Sequence, residues 1–164
     1  MNRKTYTAVP PMGWNSWNTF YDQINEDLIL QMAETMVSTG LRDAGYRYLI
    51  IDDCWQERQR DSLGNLAPDH IKFPRGIRAV ADKVHEMGLQ VGLYSCCGLR
   101  TCAGYPGSFE HEFRDAALFA EWGVDYLKYD NCSKPDTVPS ELLYRRMSMA
   151  LAAAGRDILL AACQ

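Results

Sequence analysis

A cation and a carboxylate stand two positions apart in Tyr126-Leu127-Lys128-Tyr129-Asp130-Asn131-Cys132, a short run of apolar and aromatic residues entered through Trp122-Gly123-Val124-Asp125. Its length and composition predict a buried strand. Side chains alternate between the two faces of a strand. Tyr126, Lys128 and Asp130 therefore share one face, Leu127 and Tyr129 the other, and the two charged positions lie about 6–7 Å apart along the backbone. Charges held at a buried strand are costly unless they pair or serve chemistry. Two readings stand at this point: a structural ion pair that closes the strand, and a reactive pair in a site.

Other reactive residues fall at comparable places. Tyr46 to Trp55 is an almost uninterrupted apolar run that ends in Asp52 and Asp53, the pattern of a strand buried on both faces of a parallel sheet. Leu89 to Cys96 predicts another strand, carrying Tyr94 to Cys96 at its end. A short first strand around Val9-Pro10-Pro11-Met12-Gly13 runs into a polar, aromatic loop with Trp17 just beyond it. Three carboxylates and a lysine with Trp and Tyr nearby match a metal, a phosphate or a sugar. A phosphate site calls for a helix N-terminus or a Ser/Thr cradle that is not recognisable here. Sugars need carboxylates and Lys for hydroxyls and an aromatic surface for the apolar face of the ring. The inventory fits a sugar best, and no metal or cofactor is expected.

Between the predicted strands lie predicted helices. Asn25-Glu26-Asp27 reads as an N-cap with an acidic first turn, and Leu28, Met32, Met36 with Ile29, Ala33, Val37 recur at helical spacing as core. Later helices are predicted from Ile77 to Met87, Phe109 to Trp122 and Ser140 to Ala154, with Gly45, Gly88, Gly123 and Gly155 supplying the turns that end the four helices. The polar connection from Gln56 to Gly76, with a turn at Asp61-Ser62-Leu63-Gly64-Asn65, is long enough to point to a functional loop. Strand then helix, four times, with a fifth strand from Asp157 to Gln164, is an α/β chain with a parallel sheet. It is either an open doubly wound sheet or part of a (β/α)8 TIM barrel, whose active face is the carboxyl end of the strands. A dinucleotide or nucleotide site is unsupported, because the first strand lacks its glycine fingerprint and no P-loop is present.

Composition bounds the rest. The 164 residues are 47% hydrophobic and 23% charged with a net charge of −4, which suits one globular domain and leaves no basic footprint for nucleic acid or an anionic membrane. The N-terminus carries no apolar signal-like run and no segment has membrane-span length, so the chain as given reads as soluble and cytoplasmic. Six cysteines, Cys54, Cys96, Cys97, Cys102, Cys132 and Cys163, form no C-x-x-C pair and make zinc a weak reading.

Seven stretches together carry a family resemblance: P-P-M-G-W-N-S-W-N at 10–18, D-A-G-Y-R-Y-L-I-I-D-D-C-W at 43–55, R-D-S-L-G-N at 60–65, F-P-R-G-I at 73–77, G-L-Y-S at 92–95, T-C-A-G-Y-P-G-S at 101–108 and W-G-V-D-Y-L-K-Y-D-N-C at 122–132. In this order and spacing the sequence resembles glycoside hydrolase family 27, the α-galactosidase and α-N-acetylgalactosaminidase family. The resemblance implies a (β/α)8 barrel of which residues 1–164 form the N-terminal portion, about four βα units plus a fifth strand. It also implies a retaining exo-glycosidase acting on terminal α-galactosides, with Asp130 as the nucleophile that forms a covalent glycosyl-enzyme. By the same carry-over Asp52, Asp53 and Lys128 hold sugar hydroxyls, Trp17 and Tyr94 shape the pocket, and Cys102 counts among the substrate-binding residues. Cys102 and Cys132 match a pair that is disulfide-bonded in family members, and their Cα atoms are expected within about 7 Å, either bridged or as two reduced thiols. Lys128 is physically apt beside Asp130, as a cation that favours the ionised carboxylate. For Asp52 and Asp53 the alternative is one sugar ligand and one loop-capping carboxylate, since adjacent strand residues point to opposite faces.

Departures from the family pattern carry expectations too. Asp22 stands where eukaryotic members have a Cys that pairs with the one at Cys54, so Cys54 is expected to be free. Cys96 and Cys97 replace more usual residues in the pocket wall. Gln164 falls just before the loop that separates galactose from N-acetylgalactosamine recognition. The family's acid/base carboxyl follows a sixth strand, so these residues alone are expected to be inactive and to self-associate through open sheet edges. α-N-acetylgalactosaminidase and β-L-arabinopyranosidase activities, or galactose binding without catalysis, are the alternatives. Family members are often secreted or lysosomal.

Overall fold

The computed structural model describes residues 10–163. Its elements are β1 (Gly13–Asn15), α1 (Trp17–Phe20), α2 (Glu26–Ser38), β2 (Tyr48–Ile51), α3 (Gly76–Glu86), β3 (Gln90–Cys96), α4 (Glu112–Glu121), β4 (Tyr126–Asp130), α5 (Ser140–Ala153) and β5 (Leu159–Ala162). All four strand pairings are parallel, and the spatial order β1-β2-β3-β4-β5 repeats the chain order. A doubly wound sheet reverses its strand order at a switch point; this one does not reverse. The helices also pack on one face only. Leu49 and Ile51 of β2, Val91 and Leu93 of β3, and Leu127 and Tyr129 of β4 join Ile29, Met36, Val80, Val84, Phe119 and Met147 in one core. A sheet wound in one direction with its helices outside is the wall of a barrel.

The other face carries the site. Register pairs Tyr94 with Lys128 and Cys96 with Asp130, and paired residues of a parallel sheet project to the same side. Gly92 sits in this face between Ile50 and Tyr126. A Cβ there would lie 2.6 Å from Ile50 Cγ1 and 3.0 Å from a Tyr126 ring carbon. The missing side chain leaves room for Tyr48 and Tyr126, whose rings meet at 5.4 Å.

Local signals set most boundaries. Asn25 caps α2 by accepting the Leu28 N–H at 2.9 Å, satisfying one of the donors a helix start leaves unpaired. Gly123 follows the last turn of α4 at φ +81°, a left-handed conformation that glycine takes without penalty. Two boundaries differ from expectation. α2 stops at Ser38, so Gly40 rather than Gly45 is its terminating glycine; the chain then makes a further turn before β2. α4 starts at Glu112 rather than Phe109, because the Ser108 and Phe109 N–H groups are bonded back to Cys96 O and Gly98 O. The proposed start of the first strand at Val9 and the end of the fifth at Gln164 lie outside the described residues.

Charge pairs pin the elements from outside the sheet. Arg60, in the long connection, makes two 2.7 Å hydrogen bonds to the fully buried Asp115 of α4, so this connection is a strap held to α4. Arg75 bonds the buried Glu26 at the head of α2. The predicted turn closes as expected, with Asp61 N–H on Asn65 O and Gly64 N–H on Asp61 O.

Asp125, just ahead of β4, gathers His85 Nε2 at 2.7 Å, the Val91 N–H at 2.9 Å and Arg156 Nη2 at 2.6 Å. Burial by itself pushes its carboxyl up, and these hydrogen bonds outweigh burial and leave it below the ordinary 3.8. A carboxyl depressed in the fold binds protons less readily than in the unfolded chain, so its stabilisation is complete above the unfolded value and is lost as pH falls through the folded one. Asp125→Asn is therefore expected to cost on the order of 2 kcal/mol at neutral pH, less than a fully buried pair because Arg156 is 35% exposed. The gap between variant and parent in urea unfolding should close in acid.

Candidate active site

Asp52 follows β2 and is 1% exposed. Its Oδ2 accepts from Lys128 Nζ at 2.8 Å and Asn15 Nδ2 at 2.6 Å, its Oδ1 accepts the Asp53 N–H at 2.9 Å, and its own N–H reaches Ser16 Oγ at 3.0 Å. Three strands thus converge on one carboxylate. Lys128 pairs here and not with Asp130, which corrects the expectation drawn from their shared strand face. The ammonium also lies 5.2 Å from the centre of the Tyr94 ring, within cation–π range.

Asp130, the last residue of β4, is half-buried. Asn131 N–H donates to its Oδ1 at 2.8 Å and Tyr94 OH to its Oδ2 at 3.1 Å. Trp55 Nε1 fixes the backbone beneath that tyrosine through Tyr94 O at 2.9 Å. Burial, then the neighbouring Asp53 and Asp130 carboxylates, push the Tyr94 phenol upward, so it stays protonated as a donor. Asp130 is thereby oriented by two donors, neither of which is a full cation.

Asp53 is turned toward the loop after β3. Its Oδ1 accepts the Cys54 N–H at 2.8 Å and its Oδ2 the Ala103 N–H at 2.9 Å. This is the geometry of the loop-capping alternative, and burial holds the carboxyl above the ordinary 3.8. The loop it caps carries Cys102, which forms a disulfide with Cys132 across Cα atoms 5.5 Å apart. Gly98 lets that loop lie on the β4 side: a Cβ there would fall 2.0 Å from Cys132 O and 2.4 Å from the Ser133 carbonyl carbon. Cys102 Sγ is 3.7 Å from Asp130 Oδ2, and Tyr94 OH is 3.8 Å from Cys132 Sγ.

Trp17 joins the rim through its backbone, its N–H on Asn15 Oδ1 at 2.8 Å, and its ring packs edge-on against Tyr21 at 5.5 Å. Asn15 therefore holds Asp52 with one end of its amide and Trp17 with the other, a linking role the sequence reading missed. The available signal was a polar residue on the site face of β1, two positions before Trp17. Cys96 and Cys97, expected in the pocket wall, are both fully buried, with Sγ on Arg100 O at 3.1 Å and on Asn131 Oδ1 at 3.2 Å. Cys54 is free and buried, and burial pushes the Cys96 thiol up to about 12.

A one-way parallel βα sheet whose carboxyl edge gathers Asp52, Lys128, Tyr94 and Asp130 defines part of a (β/α)8-barrel wall with its candidate site at the end where such barrels carry theirs. Comparison with known proteins narrows the class. The family described as Alpha galactosidase A (Melibiase_2) matches residues 9–164, and the chain belongs to that family. It is 53% identical over 157 residues to an α-galactosidase of Coffea arabica, covering 95% of this chain and 41% of that protein. Its structure is similar to α-galactosidase I of Mortierella vinacea, with a TM-score of 0.93, 44% identity and 95% of this chain matched to 40% of that one. An α-galactosidase of Saccharomyces cerevisiae solved with raffinose gives a TM-score of 0.93 at 44% identity, over 95% of this chain and 35% of that one. The chain thus spans about 40% of the length of the first relatives it matches. Among the described residues no helix is long and apolar enough to cross a membrane.

Proposed function

We propose that this chain carries the nucleophile and part of the sugar pocket of a retaining exo-α-galactosidase. The observation that carries the reading is Asp130, a half-buried carboxylate at the end of a barrel strand with both oxygens oriented by donors, on the strand face it shares with the Lys128 that pairs with Asp52. The carboxylate attacks the anomeric carbon as the glycosidic bond breaks through an oxocarbenium-like transition state; water then releases the sugar from the covalent glycosyl-enzyme. Lys128 and Asp52 form a fixed donor–acceptor couple for neighbouring hydroxyls. Asp53 accepts a hydroxyl while capping the Cys102 loop, since a carboxylate oxygen bound to one N–H keeps a second lone pair. Trp17 and Tyr94 wall the pocket, and Cys102 with Cys132 forms its edge. In this reading residues 1–164 are the N-terminal portion of the barrel, and the acid/base carboxyl comes from a later strand.

Identity to the coffee and Mortierella α-galactosidases favours galactose over its relatives. A β-L-arabinopyranosidase of Geobacillus stearothermophilus matches at 22% identity, which bears on the fold alone. The test compares aryl α-galactoside, α-N-acetylgalactosaminide and β-L-arabinopyranoside as substrates of the complete barrel that contains these residues, since residues 1–164 alone lack the acid/base carboxyl. The α-galactoside is expected to have kcat/KM at least about tenfold above either competitor, a difference of roughly 1.4 kcal/mol in transition-state binding. Preference for either competitor overturns the assignment, and galactose binding with no turnover leaves a binding barrel.

A further inference from the structure

The disulfide and the proposed nucleophile form one cluster. A ligand atom from each of Cys102, Cys132 and Asp130 lies within 4.8 Å of the other two. Cys102 is exposed and Cys132 half-buried, so a small thiol can reach the bond. As long as the sulfurs are joined, neither is a thiolate ligand. Reduction changes the chemistry of the same atoms, leaving two thiols facing one carboxylate.

We propose that the reduced protein binds one thiophilic divalent cation of the zinc class on Cys102 Sγ, Cys132 Sγ and Asp130 Oδ2. A dithiol reductant supplies two electrons and two protons, the S–S bond breaks, and the reductant leaves as its own disulfide. The cation then displaces the two thiol protons and forms two metal–sulfur bonds and one metal–oxygen bond, with a water in the fourth position. Bonds of about 2.3 Å to sulfur and about 2.0–2.2 Å to oxygen in a tetrahedral site put sulfur and oxygen ligands roughly 3.5 Å apart, and Cys102 Sγ already lies 3.7 Å from Asp130 Oδ2. The sulfurs must separate, and turning either side chain about its Cα–Cβ bond does this while the Cα atoms stay 5.5 Å apart. Two thiolates select zinc, cobalt or cadmium over magnesium or calcium.

The other thiols are poorly placed to compete. Cys96 and Cys97 are fully buried with Sγ on Arg100 O and on Asn131 Oδ1, Cys54 is buried with them, and the half-buried free Cys163 belongs to no compact donor group among the described residues. The other compact donor group among the described residues is Glu57, Asp69 and His70. It has no thiolate, and its Glu57 and Asp69 oxygens are already bonded to His70, Ile71 and Lys72.

Binding is independent of the proposed activity; its consequence rests on that reading, because a cation on Asp130 occupies the carboxylate that must attack the sugar. The redox state of one bond then decides whether metal can inhibit.

The experiment titrates the protein with Co²⁺ under anaerobic conditions, before and after reduction with dithiothreitol and removal of the reductant. One equivalent is expected to bring tetrahedral ligand-field and thiolate-to-cobalt bands only after reduction, and Zn²⁺ should bleach them. Cys102→Ser and Cys132→Ser should each lose the two-thiolate signature, and Asp130→Asn should weaken Co²⁺ binding roughly tenfold or more. Bands of equal strength in the oxidised protein, their persistence in either serine variant, or unchanged affinity in Asp130→Asn each overturn the site. If a serine variant fails to fold, the oxidised control and Asp130→Asn still decide. With turnover read in the complete barrel, bands without glycosidase turnover sink the functional reading alone; turnover without bands sinks only the metal site.

Discussion

In the complete barrel, replacing Asp130 by Asn is expected to lower kcat/KM for an aryl α-galactoside by roughly 10⁴–10⁶-fold, the scale on which enzymes lose a covalent nucleophile. The fold should hardly register the change. Asp130 is half-buried, its Oδ1 accepts the Asn131 N–H and its Oδ2 the Tyr94 hydroxyl. An amide oxygen can keep the first bond while its NH₂ donates to a Tyr94 hydroxyl that has rotated to accept. The stability cost should be about 1 kcal/mol or less. Kinetics and urea unfolding on the same variant separate the two effects. Turnover within tenfold of the parent places the attacking group elsewhere.

Lys128→Met tests the other half of the site and has the largest expected effect on stability. It leaves the Asp52 carboxylate, 1% exposed, with Asn15 as its remaining side-chain donor. Breaking a buried pair from one side costs about 3–5 kcal/mol, because the surviving charge stays buried. The lower part of that range is expected, since the lysine side chain is 24% exposed. Adding Asp52→Asn should recover most of the loss, as the pair is then neutral on both sides. A purely structural pair predicts that activity returns with stability. A couple that holds sugar hydroxyls predicts a stable double variant with kcat/KM still depressed by at least about tenfold. Urea midpoints and steady-state rates on the parent, Lys128→Met and the double variant of the complete barrel tell these apart.

The cost of an unpaired charge also shows where sequence reasoning stops. Period-two alternation placed Lys128 and Asp130 on one face of β4, and the structure keeps them there. Alternation cannot say which strand lies alongside, so it could not show that Lys128 would pair with Asp52, 76 positions away. The same limit hid Asn15, whose role appears only once β1 is registered on β2, and the Asp125 cluster, whose donors come from α3, β3 and the turn after α5. Apolar runs and helical spacing were legible because burial imposes them locally: Leu143, Met147, Ala150 and Leu151 are the buried positions of α5. Gly45 misled because two glycines follow α2 and both have positive φ; only the hydrogen-bonded ends of the helix distinguish them. The choice between an open sheet and a barrel also waited on spatial order, which the alternation of strands and helices leaves undetermined.

Covalent trapping reads directly whether the Asp130 carboxylate is the proposed nucleophile of a galactosidase. The complete barrel that contains these residues is incubated with an activated fluoro-galactosyl probe that forms the glycosyl-enzyme faster than water can release it, then digested and mapped by mass spectrometry. The peptide that contains Asp130 is expected to gain one fluorogalactosyl mass on that carboxylate, and Asp130→Asn to gain none. A stoichiometric label on Asp52, Asp53 or any other residue, or a catalytically active protein that never acquires the label, would contradict the account.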